Sequence, residues 1–388
     1  MTAEDFDRLD VETLRRAGAV KWAAYPDAIG AFIAEMDFGT APAVTRALHR
    51  SVDAAQFGYL PKALTADLSQ ACADWCRDRY SWDVDPADVR PVADVLEALK
   101  IAIDFFSAPR TAVILPTPAY MPFVTMPPIL GREVLQVPMV EVDGRPRYDL
   151  DALDAAFRAG GNLLVVCNPH NPIGRVLEPA EMLAISEVVD LHGGRVFSDE
   201  IHAPLVYPGH RHVPYASVSP TAAGHTLTAT SASKAWNLPG LKCAQVILSN
   251  DPDRKAWRRL AYLTEHGAAI LGVVANSAAY AEGGRWLGEV LDYLDGNRTA
   301  LADLIAELLP GVRYTPPEGT YLAWLDFSDT PLADDPAGYL REHASVALTG
   351  GALCGDAGRG FVRLNFATPR PVLARAVEQL GTALREAP

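Results

Sequence analysis

Lys234 stands in the stretch SASKAWNLPGLK, residues 231–242, between serines and a Pro-Gly turn that no helix continues through. Most lysines are solvated charges, but an amine set among hydroxyls where the backbone is tight can lose its water and become a nucleophile toward carbonyl groups. Three other segments carry chemistry that complements it: Asp199 in SDEIH (198–202), Asn171 in CNPHNPIG (167–174) and Arg363 in FVRLNFA (361–367). A buried aspartate can keep a ring nitrogen protonated, and an arginine can grip a carboxylate through two parallel hydrogen bonds. Ser231, Ser233 and Lys242 suit a phosphate-like anion. Taken singly, each residue type is more often structural than functional, and they make a site only where the chain brings them together.

Strand-sized apolar runs lead into these segments. TAVILPTPAY, REVLQVPM, NLLVVCNP, GRVFSDEI, HTLTAT and CAQVILS alternate with helical patterns such as AEMLAISEVVDLHG between about residues 41 and 281. That alternation predicts an α/β fold with a mostly parallel, buried sheet. Ligands of such sheets bind beyond the carboxyl ends of the strands, where residues 116–120, 168–174, 198–202 and the lysine segment all fall. Past residue 283 the pattern changes to one long helix, GRWLGEVLDYLDGNRTALADLIAELLP, then strand-like YLAWLDF and FVRLNFA and a last helix. The expected division is an N-terminal segment (1–45) joining the small domain, a large domain (46–282) and a smaller α+β domain (283–388). An amine for an aldehyde, an acid for a ring nitrogen and a cradle for a phosphate, gathered at one cleft, fit pyridoxal 5'-phosphate.

Composition limits the alternatives. With 388 residues, 49% hydrophobic and 21% charged, the chain is ordinary globular material. The 48 acidic against 34 basic residues, a formal net charge of −14, disfavour nucleic acid or an anionic membrane as partner. The longest apolar runs are far short of a membrane span, and the acidic, helix-patterned MTAEDFDRLDVETLRR does not read as a signal or transit peptide, so a cytoplasmic location is expected. Five cysteines, Cys72, Cys76, Cys167, Cys243 and Cys354, are odd in number, widely spread and without a CxxC pair, which reads as reduced core thiols and no metal. His210 and His212 in PGHRHVP read as a solvated loop pair.

In chain order, EMDF, FGY, CNPHNPIGRV, SDEIHAPLV, SASKAWNLPGLK and FVRLNFA resemble the fold-type I pyridoxal-phosphate enzymes. More narrowly they resemble the MalY/PatB-type cystathionine β-lyases, or C-S β-lyases. The likeness runs from Lys21 to Arg370. It implies the aspartate-aminotransferase-like architecture, pyridoxal phosphate as cofactor, and Lys234 as both Schiff-base lysine and acid-base group at the substrate α-carbon. Asp199 would hold the pyridine nitrogen, Asn171 and His202 would lie on the side of the ring's 3'-oxygen, and Tyr120 would stack on its face. The phosphate would meet Ser231, Ser233, Lys242 and the backbone of Ala93, Asp94 and Val95, with Tyr59 reaching across from the neighbouring subunit of a homodimer. Arg363 would take the substrate α-carboxylate, and Trp22, Asp37 and Tyr321 would line the substrate pocket. Asp94 stands where many relatives carry Gly, and its side chain is expected to turn away so that only its N–H is used; Trp236 replaces a common Phe.

The implied reaction is α,β-elimination from L-cystathionine or a related cysteine S-conjugate, giving a thiol (homocysteine), pyruvate and ammonia, with a place in methionine biosynthesis. Fold alone leaves two alternatives open. One is a class I/II aminotransferase, which shares removal of the α-proton but requires a keto acid. The other is a regulatory interaction protein that keeps the cofactor fold.

Overall fold

The structure, a computed structural model, describes residues 3–388. Seven strands form the central sheet: β1 (Val89–Val92), β2 (Ala112–Thr117), β3 (Val134–Pro138), β4 (Gly161–Cys167), β5 (Arg195–Asp199), β6 (Thr226–Thr230) and β7 (Ala244–Leu248). Their spatial order is β1-β7-β6-β5-β4-β2-β3, and β7 alone runs against its neighbours. Side chains of the inner strands alternate between two cores. Val113, Leu115, Leu163, Val165 and Phe197 face one helical layer, while Ile114, Leu164, Val166 and Val196 face the other. This period of two, apolar on both sides, is what a parallel sheet covered on both faces demands. The carboxyl ends of β2, β4, β5 and β6 therefore lie along one edge.

β1 is a strand that the sequence reading did not anticipate, because Pro91 interrupts its pattern. It sits at the end of the sheet order, where a missing N–H is tolerated. The helix that follows it, Val95–Phe105, starts at the strand-end edge.

A second, antiparallel sheet is built from β8 (Arg313–Tyr314), β9 (Leu322–Asp326), β10 (Thr349–Gly350) and β11 (Phe361–Asn365) in the order β8-β9-β11-β10. The long helix Gly284–Leu308 packs on the final helix Arg370–Arg385 beside it. Near the N-terminus, Ile29 and Gly30 pair in parallel with Val346 and Ala347. Gly30 has no substitute there, since a β-carbon would lie 1.9 Å from the Lys21 carbonyl oxygen. From that pair residues 31–37 run, without regular structure, as a strap across the strand ends.

Candidate active site

At the carboxyl ends of β2, β4, β5 and β6 the chain encloses a cavity of about 160 Å³, lined among others by Tyr120, Asn171, Asp199, His202, Ser231, Ser233, Lys234 and Lys242. Ala93, Asp94, Val95 and Leu96 close its outer end with the start of the helix Val95–Phe105.

The turn after β6 is held from behind. Asn276 Oδ1 accepts the Ala232 N–H at 3.0 Å, and Ser231 Oγ accepts the Ser233 N–H at 3.0 Å while donating to the Cys243 carbonyl at 2.7 Å. Lys234 is thereby aimed inward, and its Nζ donates to the Ala34 carbonyl of the strap at 2.9 Å. Burial, helped by the Arg363 guanidinium, lowers its ammonium from 10.5 to about 8, with Glu35 and Asp199 pulling the other way. A useful fraction of this amine is therefore unprotonated near neutrality.

Asp199 is the last residue of β5. Burial pushes its carboxyl from 3.8 up to about 7, and Glu200 adds to this, against the opposing effect of the Ile201 N–H at 3.1 Å and of Lys234. Beyond that N–H the carboxyl's only hydrogen-bond partner among the described residues is the Cys167 thiol at 3.8 Å, so no described cation is bonded to it. A protonated ring nitrogen would supply one.

Arg363 comes from the middle of β11 and is buried, 2% exposed. Its Nη1 donates to Asn171 Oδ1 at 3.0 Å, its Nη2 to the Phe32 carbonyl at 2.8 Å and to Thr349 Oγ1 at 3.3 Å, while Nε has no partner. Desolvation holds the guanidinium below its ordinary value of 12.5. Among the described residues its hydrogen-bond partners are all neutral, which suits an arriving carboxylate. His202 is fully buried with Nδ1 unpartnered, and burial together with the charges of Lys234 and Arg363 keeps the imidazole neutral. Tyr321 stands edge-on to the His202 ring and donates its OH to the Ala34 carbonyl at 3.0 Å, the same oxygen that receives Lys234.

The residues present fit pyridoxal phosphate. The structure offers a desolvated amine for the aldehyde, an uncompensated carboxyl for the ring nitrogen, an orphaned imidazole nitrogen, and for the phosphate the unbonded first-turn N–H groups of Val95 and Leu96 with the Ser233 hydroxyl.

Of the expected site residues, Arg363, Tyr321, Trp22, Asp37 and Tyr59 are not among those that line this cavity. Trp22 Nε1 donates to Asp37 Oδ1 at 2.8 Å and Lys21 Nζ to Asp37 Oδ2 at 2.8 Å, because a buried ammonium needs a counter-charge and Asp37 supplies it. Tyr59 is 86% exposed and packs on His266 in an outer groove of about 1040 Å³. The Asp94 carboxylate does not turn away: it caps Glu97 N at 2.8 Å and accepts Lys242 Nζ at 2.9 Å. His212 is not solvated either. It is 2% exposed and meets Glu200 Oε2 at 3.0 Å, while Glu200 Oε1 accepts the Ser198 hydroxyl and the Tyr215 N–H, each at 2.9 Å, so the buried carboxyl has a partner on both oxygens. The five cysteines are free and buried, and no group of metal-ligating side chains forms among the described residues.

The model of the family described as aminotransferase class I and II matches residues 31–380. A cystathionine β-lyase from Corynebacterium glutamicum is 38% identical over 97% of this chain and 99% of its own length. Cystathionine β-lyase PatB from Bacillus subtilis is 34% identical over 92% and 93%. The solved pyridoxal-phosphate-bound C-S lyase from Staphylococcus hominis superposes with a TM-score of 0.90 at 27% identity, over 98% of this chain and 99% of that one. On matches of this length, the chain belongs to the class I and II aminotransferase family of pyridoxal-phosphate enzymes and, within it, to the MalY/PatB-type cystathionine β-lyases.

Proposed function

We propose that this protein cleaves the C-S bond of L-cystathionine or a related L-cysteine S-conjugate by α,β-elimination, releasing a thiol, pyruvate and ammonia. A desolvated Lys234 amine, the Asp199 carboxyl and a guanidinium whose hydrogen-bond partners are neutral support chemistry at the substrate α-carbon, and the observation that carries elimination over transamination is the full-length similarity to cystathionine β-lyases, 38% identical over 97% of the chain. Bound pyridoxal phosphate supplies an aldehyde for the substrate amine and a pyridinium that withdraws the electron pair left at the α-carbon. Arg363 binds the substrate carboxylate and fixes the α-carbon relative to Lys234. Lys234, as free amine, takes the α-proton at Nζ and as ammonium can return it to the departing sulfur. Asp199 would hold the proton on the ring nitrogen, Asn171 and neutral His202 would serve the side of the ring's 3'-oxygen, and Tyr120 would stack on its face. The strap keeps water from Lys234 by placing the Ala34 carbonyl on it. Water then converts the unsaturated three-carbon product to pyruvate and ammonia.

The chain is further read as a homodimer in which Tyr59 reaches the phosphate end of the partner's site, which accounts for Phe57, Tyr59 and Tyr262 being left 65%, 86% and 80% exposed. The division at residues 45 and 282 is likewise proposed, supported by the two separate sheets. Five unpaired cysteines support a cytoplasmic location, and no helix among the described residues is long and apolar enough to cross a membrane.

The test is to incubate the cofactor-loaded protein with L-cystathionine, and separately L-cysteine, without keto acid, and to assay pyruvate and thiol or sulfide. Sustained pyruvate over many turnovers is expected, and Lys234→Ala should lose both turnover and the visible absorbance of the lysine-bound cofactor. Turnover only after addition of a keto acid would make the protein an aminotransferase. No turnover under either condition would favour a regulatory role.

A further inference from the structure

The outer end of the cavity holds a charge that works against its expected ligand. Two lysines line the cavity, Lys234 at the buried end and Lys242 at the open end. Lys242 follows the turn Pro239–Leu241 with a left-handed backbone, φ 49°, and its Nζ donates to Asp94 Oδ2 at 2.9 Å. The other carboxylate oxygen accepts the Glu97 N–H at 2.8 Å, and the Asp94 carbonyl accepts the Ala98 N–H at 3.1 Å. Asp94 is thus fixed at the mouth by its role as helix cap. Turning it away would forfeit the cap. An anion entering here finds the Val95 and Leu96 N–H groups and the hydroxyl of Ser233, a residue 9% exposed whose hydroxyl has no hydrogen-bond partner among the described residues. The adjacent carboxylate cancels the charge of Lys242.

We propose that Asp94 sets how tightly the cofactor is held, by sharing Lys242 with the phosphate and repelling it, so that pyridoxal phosphate is retained exchangeably at its phosphate end. The three protons of Lys242 allow it to serve both anions, yet the phosphate receives a divided cation and lies beside a like charge. The Lys242 and Asp94 side chains are 59% and 36% exposed, so water and salt screen the repulsion without removing it. The proposal takes from the function above only the identity of the cofactor. Affinity, not turnover, is measured, so its failure is separable from a failure of the elimination reading.

The experiment compares wild type with Asp94→Asn and Asp94→Ser, both of which keep a side chain able to cap the helix. Dissociation constants are measured by visible absorbance for pyridoxal 5'-phosphate and, as a control without the phosphate, for pyridoxal. Both variants should bind pyridoxal phosphate on the order of tenfold more tightly at low salt. The gap should narrow toward 1 M salt, where the screening length falls to about 3 Å. Pyridoxal should bind all three proteins equally, and inorganic phosphate should compete about tenfold better in the variants. Equal or weaker binding of pyridoxal phosphate by the variants, or an equal gain for pyridoxal, would overturn the proposal.

Discussion

Two lysine-aspartate pairs of nearly equal length flank the active site. Lys21–Asp37 is 2.8 Å long, with side chains 0% and 3% exposed, and Lys242–Asp94 is 2.9 Å long, with side chains 59% and 36% exposed. The first is surrounded by further partners: Trp22 Nε1 on the second carboxylate oxygen and the Ala367 carbonyl 3.3 Å from the ammonium. The second shares its carboxylate with one helix N–H and faces solvent. Distance therefore says little about what a pair does. A buried pair is permanent because parting it strands a charge in a poor dielectric, whereas an exposed pair can be exchanged for another ion at small cost. The chain uses the permanent kind to fasten the strap and the exchangeable kind where a ligand must enter.

The sharpest way to break this contrast is to cut the buried pair. Asp37→Ala leaves the Lys21 ammonium buried and uncompensated and removes the acceptor of the Trp22 indole, so a loss of about 3–5 kcal/mol is expected in urea unfolding. The double variant Lys21→Met, Asp37→Leu removes both charges and should recover a good part of that loss, although the indole N–H stays unpaired. If the single variant cost under about 1 kcal/mol, the pair would be no more permanent than an exposed one.

The strap also marks where the sequence stopped being readable. Lys234, Asp199, Asn171 and Arg363 could be singled out because side-chain chemistry announces itself by residue type, and the strands could be placed because alternating burial leaves a period of two. The strap works through its backbone. The carbonyls of Phe32 and Ala34 are held by Arg363 and Lys234, those of Ile33 and Glu35 by Asn365 Nδ2 at 2.6 Å, and that of Met36 by Asn237 at 2.9 Å. Every residue type has a carbonyl, so no letter in AFIAEM reveals the task. The tie among Lys21, Trp22 and Asp37 was hidden for a related reason: polar residues in a motif suggest a ligand, and only the packed structure shows that Asp37 receives both the Lys21 ammonium and the Trp22 indole N–H. His212 was misplaced because a loop of Pro, Gly, His and Arg looks solvated until Glu200 is found beneath it.

Asp199 lies between the two extremes, as deeply buried as Asp37 but without a hydrogen-bonded cation. Its carboxyl titrates near 3.8 when unfolded and at about 7 in the fold, so between those values the folded protein carries more protons than the unfolded chain. Stability of the cofactor-stripped protein should therefore fall as pH rises through this window, and the cost is complete above about pH 7. Asp199→Asn keeps an acceptor for the Ile201 N–H and removes the charge. It should raise the unfolding free energy by about 2–4 kcal/mol at pH 8 and have little effect near pH 4. A gain of the same size at both pH values would mean that packing, not the buried charge, governs this position.

The smallest effect belongs to the exposed pair, and its smallness is the informative part. Lys242→Met should change the unfolding free energy of the cofactor-stripped protein by less than about 1 kcal/mol, with what remains disappearing as salt is added. The amine gives up little when it leaves Asp94, since water solvates both partners. For the same reason it is free to turn to a phosphate. A loss approaching that of Asp37→Ala would show that Lys242 is committed to Asp94 as firmly as Lys21 is to Asp37, and the open end of the cavity would then be a fixed wall instead of an exchangeable contact.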